Sequence, residues 1–153
     1  MVKNKYFLIV IIFFLTGLFL INRPPNNIHR ENIKYVKIAG QNIKVDLAVT
    51  EKTRAQGLSG RKELKENEGM LFFFNRSGNY PFWMKDMNFP IDIIWINKNK
   101  EVIYIKKDAR PELYPEIYRP EKNDQNAKYI LEIVSGFSDK NNLKIGDKIE
   151  FLP

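Results

Sequence analysis

Residues 6–21 read YFLIVIIFFLTGLFLI, sixteen positions without a charge, interrupted only by Thr16 and Gly17. Such a run is too apolar to leave in water. As a helix rising about 1.5 Å per residue it covers roughly 24 Å, short of the about 30 Å hydrocarbon core of a bilayer. Snorkelling Lys5 and Arg23, or local thinning, would complete the span. A cleaved signal peptide shares the charged start and apolar middle, but it needs small residues at an A-x-A-like site, and this run ends FLINRP. Residues 1–23 therefore read as a retained signal anchor, one transmembrane helix, with a cleaved signal as the main alternative and a buried core helix as a distant third. The chain has no cysteine, so no lipid anchor forms on one.

Orientation follows from the basic residues. Lys3, Lys5 and the terminal amine precede the span, and Arg23 alone follows it closely. The positive-inside rule then keeps the N-terminus cytoplasmic and sends the rest across. The expected location is single-pass in the cell (inner) membrane, with the domain extracytoplasmic. Three of the 25 basic residues precede Pro24 and all 18 acids follow it, which leaves the exported part at +4. A mildly basic surface serves solubility first, and anionic headgroups or acidic wall polymers second. Basic residues interleaved with acids do not form a nucleic-acid patch.

Residues 22–32, NRPPNNIHREN, suit a solvated linker, here bounded as 24–33, and they hold the only histidine, His29. From residue 34 to 153 one domain of ordinary size follows. Tyr35, Lys37 and Ala39 alternate with Val36 and Ile38, Gly40-Gln41 turns the chain, and Ile43, Val45, Leu47 and Val49 return it, the pattern of a hairpin. Thr50 reads as an N-cap, 51–56 as a short helix and Gly57 as its C-cap. Strand-like runs at 70–74, 90–96, 102–106, 129–134 and 148–151 lack long intervening helices. The expectation is a mainly β fold, a compact antiparallel sandwich or barrel with one or two short helices.

Aromatic and sulfur side chains concentrate between residues 69 and 96, and most belong in the core. Tyr80-Pro81-Phe82-Trp83-Met84-Lys85-Asp86 differs, because it follows the turn residues Ser77-Gly78-Asn79 and mixes Trp83 with charges. Loops on a rigid β scaffold are where sites usually lie. Asp92 interrupts an apolar strand, and if buried its carboxylate needs a partner such as Arg54 or Lys85. A structural ion pair and a polar floor beside Trp83 are equally good readings. Arg54, Trp83, Lys85 and Asp92 are thus the candidate ligand-binding residues.

The blocks T-x-x-x-R-x-x-G-L at 50–58, G-M-L-F at 69–72, F-W-M-K at 82–85, P-I-D-I-I at 90–94, L-E-I-x-x-G at 131–136 and I-G-D at 145–147 together resemble the domain of unknown function 192 family, an uncharacterised membrane-associated protein family. The resemblance covers roughly residues 34–152. It implies a compact jelly-roll-like β-sandwich, commonly behind a signal sequence or membrane anchor, with no established activity. The family's motif positions fall on Arg54, Gly57, Gly69, Met70, Trp83, Met84, Pro90 and Asp92. Ser59 stands where methionine is usual, Asp86-Met87 replace Asn-Thr, and the loop at 111–120 lacks the cysteines of some relatives.

A nucleophilic triad has no histidine in the domain and no cysteine to serve it, and zinc lacks the same ligands. No metal and no cofactor is expected. Catalysis by paired carboxylates stays open, since Asp86, Asp92, Glu132 and Asp147 could converge. The leading expectation is a non-catalytic binding module for a cell-envelope component such as a glycan. An accessory or assembly protein docking another membrane protein, by its basic face or the 111–120 loop, and a carboxylate-dependent hydrolase are the alternatives.

Overall fold

The computed structural model describes residues 29–121 and 126–153. The expected anchor and most of the linker lie outside these residues. Among the described residues no helix is long and apolar enough to cross a membrane.

The strands are β1 (Tyr35–Ile38), β2 (Gln41–Ala48), β3 (Glu68–Gly78), β4 (Ile91–Ile96), β5 (Val102–Ala109), β6 (Ala127–Val134) and β7 (Glu150–Leu152). Two short helices accompany them, α1 (Glu51–Gln56) and α2 (Phe137–Lys140). The strands lie in one seven-stranded sheet ordered β5-β4-β6-β3-β2-β1-β7, curled into a half-barrel. Its two edges touch where Glu101 bridges Lys148, with Val102 N–H donating to the Asp147 carbonyl at 2.8 Å and Ile149 N–H to that of Lys100 at 2.9 Å.

The mainly β reading and the short helix at 51–56 hold, but the sandwich of jelly-roll type does not. A sandwich divides its strands between two facing sheets, whereas here one sheet curls over its own core. The pairing also departs from purely antiparallel, because β2 and β3 run parallel. The cause is the segment from α1 to residue 67, which carries the chain back along the sheet before β3 begins, as a parallel neighbour requires.

The β1–β2 hairpin turns on Ala39 (φ 47) and Gly40 (φ 76), both left-handed as a tight primed turn demands. Thr50 and Thr53 exchange side-chain and backbone hydrogen bonds in a capping box at the start of α1, satisfying donors the helix leaves free. The four-residue α2 was not legible in the sequence. It starts from Gly136 in the left-handed conformation (φ 85) and has no side-chain cap of its own.

The three central strands are covered on both faces. Leu71, Phe73, Ile94, Ile96, Leu131 and Ile133 join Val36, Ile43, Val102 and Phe151 inside the curl. Met70, Phe72, Ile91, Ile93, Trp95 and Ile130 face the other way, beneath Leu58, Leu64, Met84 and Tyr118 from the connections. Double burial explains why β4 shows no polar alternation, all six of its residues being buried. Two of the covering segments are stitched together: Phe82 and Tyr118 exchange backbone hydrogen bonds at 2.9 and 2.8 Å. Gly69 marks the tightest approach, since a Cβ there would lie 2.7 Å from the Glu132 carbonyl oxygen; glycine lets β3 and β6 pair at this point.

Candidate ligand-binding pocket

On the outer face of the half-barrel, α1, β3, β6 and the 79–90 connection leave a cleft of about 230 Å³. Its walls come from blocks far apart in sequence: Arg54 and Gly57 from α1 and its C-cap, Phe72 and Phe74 from β3, Tyr80, Phe82 and Trp83 from the connection, and Glu132 from β6. The aromatic walls hold one another. Phe72 and Phe82 meet edge to face at 4.9 Å, and Tyr80 stacks on Phe74 at 3.6 Å. The Trp95 indole N–H donates to the Tyr80 carbonyl at 2.9 Å, pinning the connection to the sheet. Trp83 alone of this aromatic set stands 49% exposed.

Arg54 is fixed from both sides of the helix end. Its Nη1 donates to the carbonyls of Val49 (2.9 Å) and Phe73 (3.0 Å), and its guanidinium lies 5.4 Å from the Phe74 ring centroid, a cation–π geometry. Gly57 has φ 51 and ψ −137, a conformation that side chains resist. A Cβ there would sit 3.5 Å from the Phe72 ring and 3.9 Å from Glu132 Oε2.

Glu132 is the anomaly of the site. Its cross-strand neighbours are Met70 on β3 and Ile93 on β4, so the carboxyl projects from the middle of an apolar face. The residue is 5% exposed, and Oε2 has no hydrogen-bond partner among the described residues. Burial pushes its pKa from the usual 4.5 up to about 8, against the opposing pull of the Arg61 charge. Burial thus favours the protonated, neutral form of this acid at the edge of the pocket.

Of the residues singled out by sequence, Arg54 and Trp83 come together on this cleft. Asp92 and Lys85 do not line it. Lys85 is exposed, and its carbonyl accepts the Ser59 hydroxyl at 2.8 Å. Asp92 is fully buried, but its partners are main-chain amides: Asp108 N–H at 2.9 Å, Gly136 N–H at 3.3 Å and Ser138 N–H at 2.8 Å. It supplies the cap that α2 lacks and ties β4 to the end of β5. Neither Arg54 nor Lys85 is its partner. Asp92 and Glu132 also point to opposite faces, since Asp92 pairs with Ile133 and Glu132 with Ile93. They form no carboxylate pair, and among the described residues Glu132 is the only acid lining the cleft. Asp147 Oδ2 takes the Lys144 N–H within its own turn.

The residue that sequence reasoning passed over is Glu132, which it named only among scattered acids. The available signal was the same as for Asp92, an acid inside an apolar strand, LEIV. A larger cleft of about 350 Å³ opens near Asn42, Asn67 and Asn141, but its charges, Lys140 and Glu66, are already paired at 2.8 Å.

The family described as "Uncharacterized ACR", domain of unknown function 192, matches residues 34–151. No curated protein matches the chain. Two crystal structures share its fold. A protein of unknown function from Novosphingobium aromaticivorans DSM 12444 is 30% identical with a TM-score of 0.71, over 77% of this chain and 84% of that one. A protein from Sinorhizobium meliloti 1021, described as a "putative transcription regulator", is 27% identical with a TM-score of 0.69, over 76% of this chain and 90% of that one.

The raised pKa of Glu132 makes a signed prediction. The folded state holds this proton more tightly than the unfolded chain, so the associated stability is fully present below about pH 4.5 and is lost as pH rises towards about 8. The loss is on the order of 1 kcal/mol for each pH unit in that window. Thermal melts of the full chain in detergent micelles should therefore show wild type falling relative to Glu132→Gln between pH 5 and pH 8. Parallel pH profiles for the two proteins would refute the assignment.

Proposed function

The chain belongs to the domain of unknown function 192 family, and we propose that it is a non-catalytic binding module held on the outer face of the cell membrane by its N-terminal segment. In this reading it takes one ring of an envelope component, such as a glycan unit, in the Trp83 pocket. The observation that carries the reading is the pairing of a half-exposed indole with a buried carboxyl whose Oε2 has no partner among the described residues, in one cleft. A half-exposed tryptophan offers a face for stacking at little ordering cost, and an unsatisfied buried polar atom is costly unless something else satisfies it. At about 230 Å³ the cleft is smaller than the usual roughly 300–1,000 Å³ of drug-sized sites, which suits a single ring rather than an extended chain. The membrane part of the proposal rests on the apolar run at 6–21 and the basic residues before it.

The word "regulator" belongs to the Sinorhizobium protein. On this chain Lys37, Arg61, Lys107, Arg110 and Lys140 each face an acidic partner, and basic residues interleaved with acids in this way do not make a nucleic-acid patch. A second reading has its own observation. Leu113, Tyr114 and Ile117 are exposed on the 111–120 loop, a concentration of apolar side chains suited to docking a membrane protein.

Titrating the full chain in detergent micelles with wall and glycan fractions tests the first reading. Trp83→Ala should weaken binding by at least tenfold while changing stability by less than about 1 kcal/mol, as an exposed substitution does. Unchanged binding in the folded variant would remove the pocket from consideration. For the second reading, a photocrosslinker at Ile117 should capture one discrete membrane-protein partner in cells, and a diffuse or empty capture counts against it.

A further inference from the structure

We infer that the ligand of this pocket carries a cationic amine, which seats among the aromatic side chains with the Glu132 carboxylate as its counter-ion. The inference rests on the binding reading above and adds the chemistry of recognition.

Several of the polar groups along the cleft are committed to the protein's own backbone. Arg54 Nη1 donates to the Val49 and Phe73 carbonyls. Gln56 Nε2 donates to the Ser59 carbonyl at 2.9 Å, the Ser59 hydroxyl to that of Lys85, and the Tyr80 hydroxyl to that of Arg76 at 2.7 Å. Glu132 Oε2 is the buried polar side-chain atom of the lining that has no partner among the described residues. A ring recognised through many hydroxyls would need several free donors and acceptors here, because each polar group buried without a partner costs affinity. One strong, charge-assisted contact suits the lining better.

The surroundings select the sign of the ligand. Aromatic rings present their electron-rich faces to cations, and Phe72, Tyr80, Phe82 and Trp83 line the cleft beside Phe74, whose ring is already engaged by Tyr80 and Arg54. A carboxyl among them completes a cation site. The cationic residue on the wall, Arg54, has its charge spread over two carbonyls and the Phe74 face, while Arg61 is neutralised by Asp46. In the free protein Glu132 avoids an uncompensated buried charge by keeping its proton. An ammonium group in the cleft supplies the compensation, so binding displaces that proton to solvent and leaves an ammonium–carboxylate pair.

The test uses matched probes on the full chain in detergent micelles at about pH 7, where simple amines are largely protonated: glucosamine against N-acetylglucosamine, and cyclohexylamine against cyclohexanol. The amine of each pair should bind at least tenfold more tightly, and Glu132→Gln should erase that preference. If the variant fails to fold, the wild type still decides the matter, because amine binding should abolish the infrared band of a protonated carboxyl. Equal affinities within both pairs, with binding still dependent on Trp83, would overturn the inference and leave the binding reading intact. Failure of both amines to bind while envelope fractions do would also overturn it. If neither probes nor fractions bind, the reading of the pocket falls with it.

Discussion

A sheet covered on both faces has no solvent side on which its central strands can place a charge. β3, β4 and β6 are in that position, with one apolar layer inside the curl and another beneath α1 and the long connections. Among the described residues, two carboxyl side chains are buried, Asp92 and Glu132, on neighbouring strands. The protein treats them in opposite ways. Asp92 receives three main-chain N–H groups, and in return it fixes α2 and the end of β5. Glu132 receives none that its Oε2 can use. One acid is absorbed by the fold, while the other is left facing a cleft.

This contrast decides how the sequence signals are to be weighed. Both residues look alike in the chain, as single acids in runs of isoleucine, leucine and valine, and local pattern cannot tell which will find partners. The partners of Asp92 lie 16 to 46 residues away in the chain, on segments whose approach depends on the curl of the whole sheet. Hence the expected pairing of Arg54 with Asp92 does not occur: Arg54 belongs to the outer face, and Asp92 points inward.

Much else was legible because it is local. The hairpin, read with its turn at Gly40-Gln41 and found one residue earlier at Ala39-Gly40, the N-cap at Thr50 and the glycine end of α1 each rest on a few adjacent residues whose chemistry is nearly sufficient. The strand runs were visible from their apolar content. Their distribution was not, because strands buried on both faces show no alternation from which to read a face, and so one curled sheet could not be told from two flat ones. The parallel β2–β3 pair was hidden for a related reason, since its crossover contains only a six-residue helix. Arg54 and Trp83, which the fold brings onto one cleft, stand out in the sequence because a tryptophan beside charges in a loop, and an arginine on a helix end, are conspicuous without any knowledge of topology.

What unites the site is therefore a burial cost that the fold leaves unanswered at Glu132. The proposed binding role of the Trp83 pocket, and the proposed recognition of a cationic group within it, both rest on that carboxyl, whose Oε2 has no partner among the described residues. The most direct test is the titration of its side-chain carbon by carbon-13 NMR, in the full chain with Glu132→Gln to assign the signal. The account predicts a midpoint near pH 8. A midpoint near the ordinary 4.5 would mean that the carboxylate is already charged and satisfied, and it would contradict the account at its base.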